Sequence, residues 1–342
     1  MSGRPYTLCI ILCFTAILNG QKPGDKVLSI FVDEYGCQWF GTDKGLLRKC
    51  GDMWQAFAVQ PDSPGIVNDI KRQMTPDGSV IWIGTMKGTI KINYSANEVT
   101  SASRFYSKTN LFLSDIISQI TSDKYFSVFF STPAGIGILA NETWKFITKI
   151  TDITENKITS SMASGDTIFF GTQGEGVARL IRSVDGYSGA SSFVAPWSAL
   201  AGDNITCIFV DSKRHQWFGT DKGLSRHSKF DAKEGWDDSY TEKLPDQHVT
   251  AIAEDKTGKI WVGTQGGLVK FGTKLSDATK WTTVDGLPSN RINNIFIDKD
   301  GSLWIATDLG ASHFDGSRFL NIRTSDYAKN YFKFKQLVKK HL

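Results

Sequence analysis

The sequence has few of the residues on which catalysis and metal binding depend. Histidine and cysteine each occur only five times in 342 residues. No G-x-S-x-G element, H-E-x-x-H helix or phosphate-binding loop is present, so nothing in the sequence points to an α/β-hydrolase, a zinc protease or a P-loop nucleotidase. We therefore predict no catalytic residues, no cofactor and no metal site.

Long apolar runs are absent after residue 20. Before it, Arg4 precedes an apolar run from Leu8 to Leu18, and the small residue Gly20 stands before Gln21. This layout is typical of a secretory signal. We predict that residues 1–20 are a signal peptide and that the mature chain is exported by a bacterium, to the periplasm or as a secreted protein. No later run reaches 18 apolar residues, so no transmembrane span is expected in the mature chain.

Outside the C-terminal tail, positive and negative charges are nearly balanced. The formal net charge is +4, and residues 326–342 alone contain five lysines against one aspartate. The rest of the chain is nearly neutral, which argues against a nucleic-acid partner. In the tail, Tyr327, Tyr331, Phe334 and Val338 recur at helical spacing, which predicts a basic amphipathic helix. This helix would pack on the folded domain or dock on a partner or an anionic membrane surface.

The chain does contain a sevenfold repeat. A motif of the form W-F-G-T-D-K-G-L returns at intervals of 40 to 48 residues. Its first aromatic positions are Trp39, Trp82, Phe129, Phe169, Trp217, Trp261 and Trp304. Repeats of this length with β-rich segments are typical of propeller blades. We predict an all-β fold: a single seven-bladed β-propeller of four-stranded antiparallel blades, followed by the short C-terminal helix.

The last repeat shows how one blade is divided. The segment I-N-N-I-F-I-D alternates as a strand does, and D-K-D-G forms a turn in which Gly301 takes positive φ. Three further strands follow, separated by turns, and the first repeat is equally complete, so the ring should close without exchanging a strand. The propeller is predicted over 21–325, with blades at about 27–64, 65–113, 114–155, 156–201, 202–245, 246–288 and 289–325.

The repeated residues have structural explanations. A buried indole removes roughly 150 to 250 Å² from water, so each motif aromatic is predicted to fill the space between neighbouring blades. The Asp of each D-x-x-G turn is predicted to bond its own turn, because a calcium loop would need several more converging oxygens. Cys37 and Cys50 flank one hairpin, and either a disulfide or two buried thiols would fit there. Cys207 is expected to be a small core residue.

The unit I-x-x-I-x-x-D-x-x-G-x-x-W-[IVF]-G-T-x-x-G-L resembles the two-component regulator propeller repeat from Val27 to Asn321. Phe129 and Phe169 depart from it by replacing Trp, and Ala306 replaces the usual Gly. In that family such propellers form the periplasmic sensor half of hybrid histidine kinases, mostly in Bacteroidetes, and are linked to oligosaccharide sensing. Because no kinase core follows Leu342, the resemblance implies a free-standing exported, sensor-like propeller, expected to be monomeric.

Propellers usually bind ligands on the face where the inner strands begin, because incoming loops and the turns after the second strands converge there on the channel. The candidate ligand-binding residues on this rim are Lys26, Asp43, Lys44, Lys87, Asp115, Lys157, Gln173, Glu175, Asn204, Asp221, Lys222, His248, Gln265, Arg291 and Asp308. Their mixed polarity suits hydrogen bonding to an oligosaccharide or a peptide. The longer loops of blade four are expected to bring Tyr187 and Trp197 to the same face.

Two alternatives remain open at this point. A protein-interaction scaffold would present one propeller face to a protein partner. An enzyme resembling the streptogramin lyases would need a histidine, an acidic residue and magnesium together on the rim, where His248 is the only histidine expected. A non-catalytic binder is favoured because a lone histidine has neither a metal cluster nor a positioned partner.

Overall fold

The protein is described here by a computed structural model, which covers residues 26–57, 59, 65–75, 78–96, 98–105, 114–149, 157–184, 186–193, 200–228, 235–237, 239–272 and 277–324. The predicted signal peptide at 1–20, the predicted tail helix at 326–342 and Trp197 lie outside these residues. Among the residues that are covered, no helix is long and apolar enough to cross a membrane.

The chain forms seven antiparallel sheets of four strands, and each sheet takes consecutive strands from one repeat. Blades one and two contain β1 (Val27–Val32), β2 (Gln38–Thr42), β3 (Gly45–Cys50), β4 (Met53–Phe57), β5 (Val67–Thr75), β6 (Gly78–Thr85), β7 (Gly88–Tyr94) and β8 (Val99–Phe105). Blades three and four contain β9 (Gln119–Ser122), β10 (Val128–Thr132), β11 (Gly135–Ala140), β12 (Thr143–Ile147), β13 (Ile158–Ser164), β14 (Thr167–Thr172), β15 (Val177–Ser183) and β16 (Gly186–Phe193). This is the predicted seven-bladed propeller.

Blades five to seven complete the ring. They contain β17 (Ile205–Val210), β18 (Gln216–Thr220), β19 (Gly223–His227), β20 (Trp236–Asp237), β21 (Val249–Glu254), β22 (Ile260–Thr264), β23 (Leu268–Lys270), β24 (Thr279–Trp281), β25 (Ile292–Ile297), β26 (Leu303–Thr307), β27 (Gly310–Phe314) and β28 (Phe319–Ile322). Short 3₁₀ helices at Ser239–Lys243 and Thr283–Asp285 precede β21 and β25. The first strand of each blade is the innermost one and contacts the first strand of the next.

The ring closes between blades seven and one through side chains, without a shared strand, as predicted. Phe31 and Phe296 meet edge to face with their ring centroids 5.5 Å apart. Asn293 Nδ2 donates to the main-chain oxygen of Val27 at 2.7 Å. Trp304 packs in one apolar cluster with residues of both blades. Closure therefore rests on packing and hydrogen bonds between complete blades.

The repeated aromatic side chains are buried between blades, as predicted, and a second role for the turn aspartates emerges. Asp33 Oδ1 accepts from the main-chain N–H groups of Tyr35 and Cys37, which is the predicted bonding within the turn. Asp33 Oδ2 also accepts from Trp39 Nε1 at 2.9 Å. The same indole bond recurs between Trp217 and Asp211 at 3.0 Å and between Trp261 and Asp255 at 2.9 Å.

The Gly-Thr pair of the motif also has a clear structural reason. A Cβ atom on Gly41 would lie 2.6 Å from a methyl group of Val67 in the next blade. A Cβ on Gly263 would meet Ile292 at 2.5 Å. Thr42 Oγ1 donates to the carbonyl of Gly45 at 2.8 Å and closes the turn into the third strand. Glycine at these two positions therefore allows close contact between blades, and threonine closes the turn.

Cys37 and Cys50 form a disulfide, with their Cα atoms 4.4 Å apart across the ends of β2 and β3. Beside it, the fully buried side chain of Arg48 pairs with Asp33 at 3.3 Å and donates to the carbonyl of Ser95 at 2.7 Å. The disulfide and the ion pair both lie within blade one, and the hydrogen bond from Arg48 to Ser95 joins this part of blade one to blade two.

Candidate functional site

The rim brings the sequence-predicted residues together in pairs. In four blades a main-chain hydrogen bond joins the residue before the inner strand to the turn after the second strand, for example Asp43 N to Lys26 O at 3.3 Å and Gln265 N to His248 O at 3.1 Å. The candidate residues that adjoin in this way are Lys26 with Asp43, Lys157 with Gln173, Asn204 with Asp221, and His248 with Gln265. Lys44, Glu175 and Lys222 lie in the same turns, and Asp115 lies beside the Lys87 turn through a 2.6 Å bond to Gly88 N.

The seam between blades seven and one carries a network of charged and amide side chains. Asp308 pairs with Lys26 at 3.2 Å and with Arg291 at 3.8 Å. Asn293 Nδ2 donates to Asp308 Oδ1 at 2.9 Å, while the same amide nitrogen reaches Val27 O. The Arg291 side chain is 47% exposed. The network therefore joins solvent-facing charges to the inner strands that line the channel.

The channel below the rim is lined almost entirely by polar groups. Its walls enclose a cavity of about 170 Å³. The lining residues are Leu28, Asn68, Asp69, Ser118, Gln119, Thr159, Thr206, Cys207, Ile208, Thr250, Ala251, Ile252, Asn293, Asn294 and Ile295. Among them Asp69 carries the only carboxyl group, and burial raises the pKa of the Cys207 thiol to about 12, which keeps that thiol protonated at neutral pH.

One residue of each inner strand stands at the junction with the next blade. These junction residues are Ser29, Asp69, Gln119, Ser160, Cys207, Ala251 and Asn294. Four of them accept a hydrogen bond from the main-chain N–H of the following blade. The bonds are Ile70 N to Ser29 Oγ at 3.1 Å, Ile120 N to Asp69 Oδ2 at 2.8 Å, Ser161 N to Gln119 Oε1 at 2.6 Å and Ile30 N to Asn294 Oδ1 at 3.4 Å.

Asp69 places a carboxylate inside the ring. It stands among neutral polar groups and is shielded from bulk water, and this burial raises the pKa of its carboxyl above the usual value despite the bond from Ile120 N. The side-chain hydroxyl of Ser29 also lies 3.5 Å from its other oxygen. The sequence interpretation missed this ring of junction residues. The third position of each I-x-x-I segment, compared across the seven repeats, would have revealed it.

The histidines do not converge on the rim. His248 bonds through its main-chain N–H to Asp246 Oδ1 at 2.8 Å. His215 pairs with Asp211 at 2.8 Å in the turn between β17 and β18, on the opposite face. His227 is fully buried against Trp236. Over the part of the chain that the structure covers, no group of three or more His, Cys, Asp or Glu side chains could hold a metal ion.

The face opposite the rim, the rear face, differs from what the sequence led us to expect. Tyr187 lies there and not on the rim, because the β15–β16 hairpin turns at the rear. Its hydroxyl donates to Asp123 Oδ2 and lies 3.2 Å from Ser127 Oγ. Arg182 stacks 3.8 Å from the ring centroid of Tyr125, whose hydroxyl donates to an aspartate of blade four. The expectation that Tyr187 contributes to the rim was therefore wrong.

The rear face also carries a series of exposed apolar side chains at hairpin turns of blades one to four, here called the apolar arc. Its members are Tyr35, Met53, Met74, Tyr125, Phe126 and Val184. Phe126 is 49% exposed and has φ of 65°, at the turn position that Gly36, Gly258 and Gly301 occupy in other blades. Gln73 Nε2 bonds Phe126 O at 2.6 Å, so blades two and three meet within the arc.

Comparison with known proteins identifies the repeat. The family model for "Two component regulator propeller" matches residues 243–266 and 286–308, which lead into and include the first two strands of blades six and seven. These two segments of the chain are thus similar to the two-component regulator propeller repeat. No curated protein matches the sequence.

Solved structures share the fold at low sequence identity. The chain is similar to an extracellular domain assigned to the hybrid two component system BT3049 of B. thetaiotaomicron, with a TM-score of 0.69, 21% identity, and coverage of 88% of this chain and 40% of that one. An extracellular domain assigned to the one component system BT4673 of the same organism gives a TM-score of 0.59, 16% identity and coverage of 86% of this chain and 48% of that one. The chain thus spans less than half the length of these two extracellular domains.

An enzyme shares the same architecture. Virginiamycin B lyase from Staphylococcus aureus aligns with a TM-score of 0.66 and 14% identity, covering 89% of this chain and 96% of that one. At these identities the likeness shows the propeller fold alone.

Proposed function

We propose that the protein is an exported, non-catalytic ligand-binding propeller of the sensor kind, which takes an oligosaccharide or a peptide at the rim. The observation that carries this proposal is the continuity of the Lys26, Arg291 and Asp308 network with the polar channel through Asn293. Such a surface offers donors and acceptors at several depths, which suits multi-point hydrogen bonding. The sensor-type repeats at 243–266 and 286–308 support the same assignment.

A thermal-shift screen tests the proposal. The chain from Gln21 onward is melted against oligosaccharides, short peptides and divalent metal ions. A ligand at a hundredfold excess over its Kd should add about 2.7 kcal/mol to the stability. Arg291→Ala should reduce the shift, because it removes a rim cation that is available to the ligand.

The matched control is Arg318→Ala. Arg318 is also an exposed arginine paired with an aspartate, Asp315 at 3.5 Å, but it lies on the rear side of the same blade. It should leave the ligand shift unchanged. A screen in which no compound shifts the melting temperature, or in which both arginine variants behave alike, would contradict the rim site.

A second candidate function, docking of a protein partner, is supported by the apolar arc. Aromatic residues and Met are enriched at protein interfaces, and six of them or similar apolar residues are exposed here in four successive blades. Phe126 keeps a bulky side chain at a backbone angle where glycine costs less. A contact between the exposed ring and a protein partner would explain why phenylalanine and not glycine occupies this position.

Phe126→Gly separates docking from folding. The change removes the exposed ring and relieves the left-handed backbone, so the variant should be at least as stable as the wild type. Cross-linking in the native cell envelope should then lose a specific partner band. Arg214→Gly is the control, because Arg214 has φ of 68° at the equivalent turn of blade five, outside the arc. An identical cross-linking pattern for the wild type and both variants would exclude docking through the arc.

A further inference from the structure

Three consecutive junctions between inner strands lack the cross-blade hydrogen bond found at the other four. The main-chain N–H groups concerned belong to Ile208, Ile252 and Ile295, and within the covered residues none of them has an acceptor in the neighbouring blade. Ile208 pairs with Phe218 in the register that Ile30 has with Phe40. Along an antiparallel strand, the N–H groups of successive residues point alternately toward and away from the partner strand. Because Asp211 N bonds His215 O, the N–H of Ile208, three residues earlier, points away from β18.

The junction residues explain why these bonds are missing. Cys207 and Ala251 offer no side-chain oxygen to the next blade. Ser160 does have a hydroxyl, but Oγ lies beside Gly171, where a Cβ atom would be only 2.3 Å away. That hydroxyl and Thr250 Oγ1 are both buried without a hydrogen-bond partner among the described residues. Ile208, Thr250, Ile252 and Ile295 all line the channel cavity.

One wall of the channel, formed by blades five to seven, therefore presents a set of unused polar groups. Short side chains at Cys207 and Ala251 leave space in front of them. Main-chain donors that face the channel need a partner, so a ligand that supplies acceptors is favoured at this wall. Blade two, which bears Asp69, stands across the seven-membered ring from blades five and six.

The polar groups of this wall and the Asp69 carboxyl on the opposite side of the channel determine which kind of ligand can bind. The N–H and C=O groups of an unpaired edge-strand residue face the same way, so the wall offers donors and acceptors together. A hydroxyl group can satisfy both. The Asp69 carboxylate disfavours an anion, and the nearly complete polar lining disfavours an apolar group. The cavity of about 170 Å³ is small beside the roughly 300 to 1,000 Å³ of drug-sized pockets.

From these observations we infer that the channel beside blades five to seven binds a compact, uncharged polyol group, held by the N–H groups of Ile208, Ile252 and Ile295. This inference rests on the proposed function, because it names the part of a rim-bound ligand that enters the channel. The rim charges would contact the remainder of that ligand.

Amide NMR directly tests this polyol site beside blades five to seven, here called the chamber. The ¹⁵N-labelled chain from Gln21 onward is titrated with D-glucose and, separately, with myo-inositol. The amide signals of Ile208, Ile252 and Ile295 should shift together and saturate. Ala251→Asn should weaken this binding by about tenfold or more, because its side-chain oxygen would accept from Ile295 N as Asn294 does from Ile30 N, and its bulk would fill the chamber.

Ala134→Asn is the matched control, since it makes the same change in a solvent-exposed rim turn of blade three. It should leave the three amide shifts intact. If Ala251→Asn does not fold, Cys207→Ser provides a second block, because its hydroxyl would accept from Ile252 N as Ser29 does from Ile70 N.

Two results would overturn the chamber. One is the absence of a saturable shift at these three amides with either probe, and the other is unchanged binding in the blocked variants. Shifts confined to rim residues such as Arg291 and His248 would also reject the chamber while leaving the proposed rim function standing.

Discussion

The hydroxyl of Tyr187 in blade four donates a hydrogen bond to Asp123 in blade three. Blade three is one of the two blades whose motif aromatic is phenylalanine, so its turn aspartate has no indole of its own to accept from. The neighbouring blade supplies the missing donor. Blade four also lacks Trp, and it has Ser164 where the other turns have an acidic or amide residue. The carboxylates of Asp33, Asp123, Asp211 and Asp255 thus each keep a side-chain donor.

Replacing Tyr187 with Phe should therefore cost about 1 to 3 kcal/mol, because it leaves the buried Asp123 carboxylate short of a donor. Tyr125→Phe removes a similar bond to Asp166 at 2.7 Å, but at an exposed site, so it should cost less than about 1 kcal/mol. Urea unfolding of both variants measures the difference. Equal losses would mean that Asp123 does not depend on Tyr187.

The motif tryptophans provide a second matched pair. Trp217 Nε1 bonds Asp211 at 3.0 Å, whereas Trp304 Nε1 has no acceptor within the residues that the structure covers. Phenylalanine fits the same place in two other blades. Trp217→Phe should therefore destabilise the protein by about 1 to 2 kcal/mol more than Trp304→Phe. Denaturant unfolding of the two variants checks this, and the reverse order would show that packing, not the indole bond, decides the loss.

The sequence was sufficient to predict the ring because its signals are local. Each strand alternates over a few residues, and turn glycines such as Gly301 mark the hairpins, so strand order follows from repetition. The role of Trp39 in packing was also predictable. Its bond to Asp33 was not, although Asp and Trp recur together in four of the seven repeats with the same spacing of six. The recurrence is visible in the sequence, but only the register of the strands shows that the indole of the Trp lies beside the carboxylate of the Asp.

The site was harder to predict because its contacts cross between blades. The bond from Ile120 N to Asp69 joins positions 51 residues apart, and no local pattern encodes it. Tyr187 illustrates the opposite problem. It was expected in a loop at the rim, but its pairing with Arg182 in the β15–β16 hairpin sets it at the rear. Loop length alone does not tell which face of a blade a residue reaches.

The Cys37–Cys50 disulfide should stabilise the folded protein. It closes a short loop with a sequence separation of 13, for which chain entropy in the unfolded state suggests about 3 kcal/mol. A Cys37→Ala, Cys50→Ala double variant should lose roughly that amount. Reductant should lower the melting temperature of the wild type but not of the variant. If the chain from Gln21 onward shows three reactive thiols after unfolding without reductant, the disulfide is not formed.

The stability of the wild type should depend on pH through Asp69. Its pKa in the folded protein is raised above the ordinary 3.8, because the ring shields the carboxylate from water. Below about pH 3.8 the group is protonated in both states and contributes no difference. As the pH rises above about 3.8, the carboxyl ionises in the unfolded state before it does in the folded state, so the stability falls until the folded carboxyl is ionised as well.

Asp69→Asn should remove this dependence. Asparagine cannot ionise, its oxygen can still accept from Ile120 N, and its amide can donate to Ser29. The variant should match the wild type near pH 4 and melt at a higher temperature at pH 7. Asp315→Asn is the contrast, because hydrogen bonds from Ser317 hold the pKa of Asp315 below its usual value, so its contribution is lost as the pH falls. The test is to measure melting temperatures of the wild type and both variants from pH 4 to pH 7. If the wild type and Asp69→Asn depend on pH in the same way, burial does not destabilise the ionised Asp69 carboxylate.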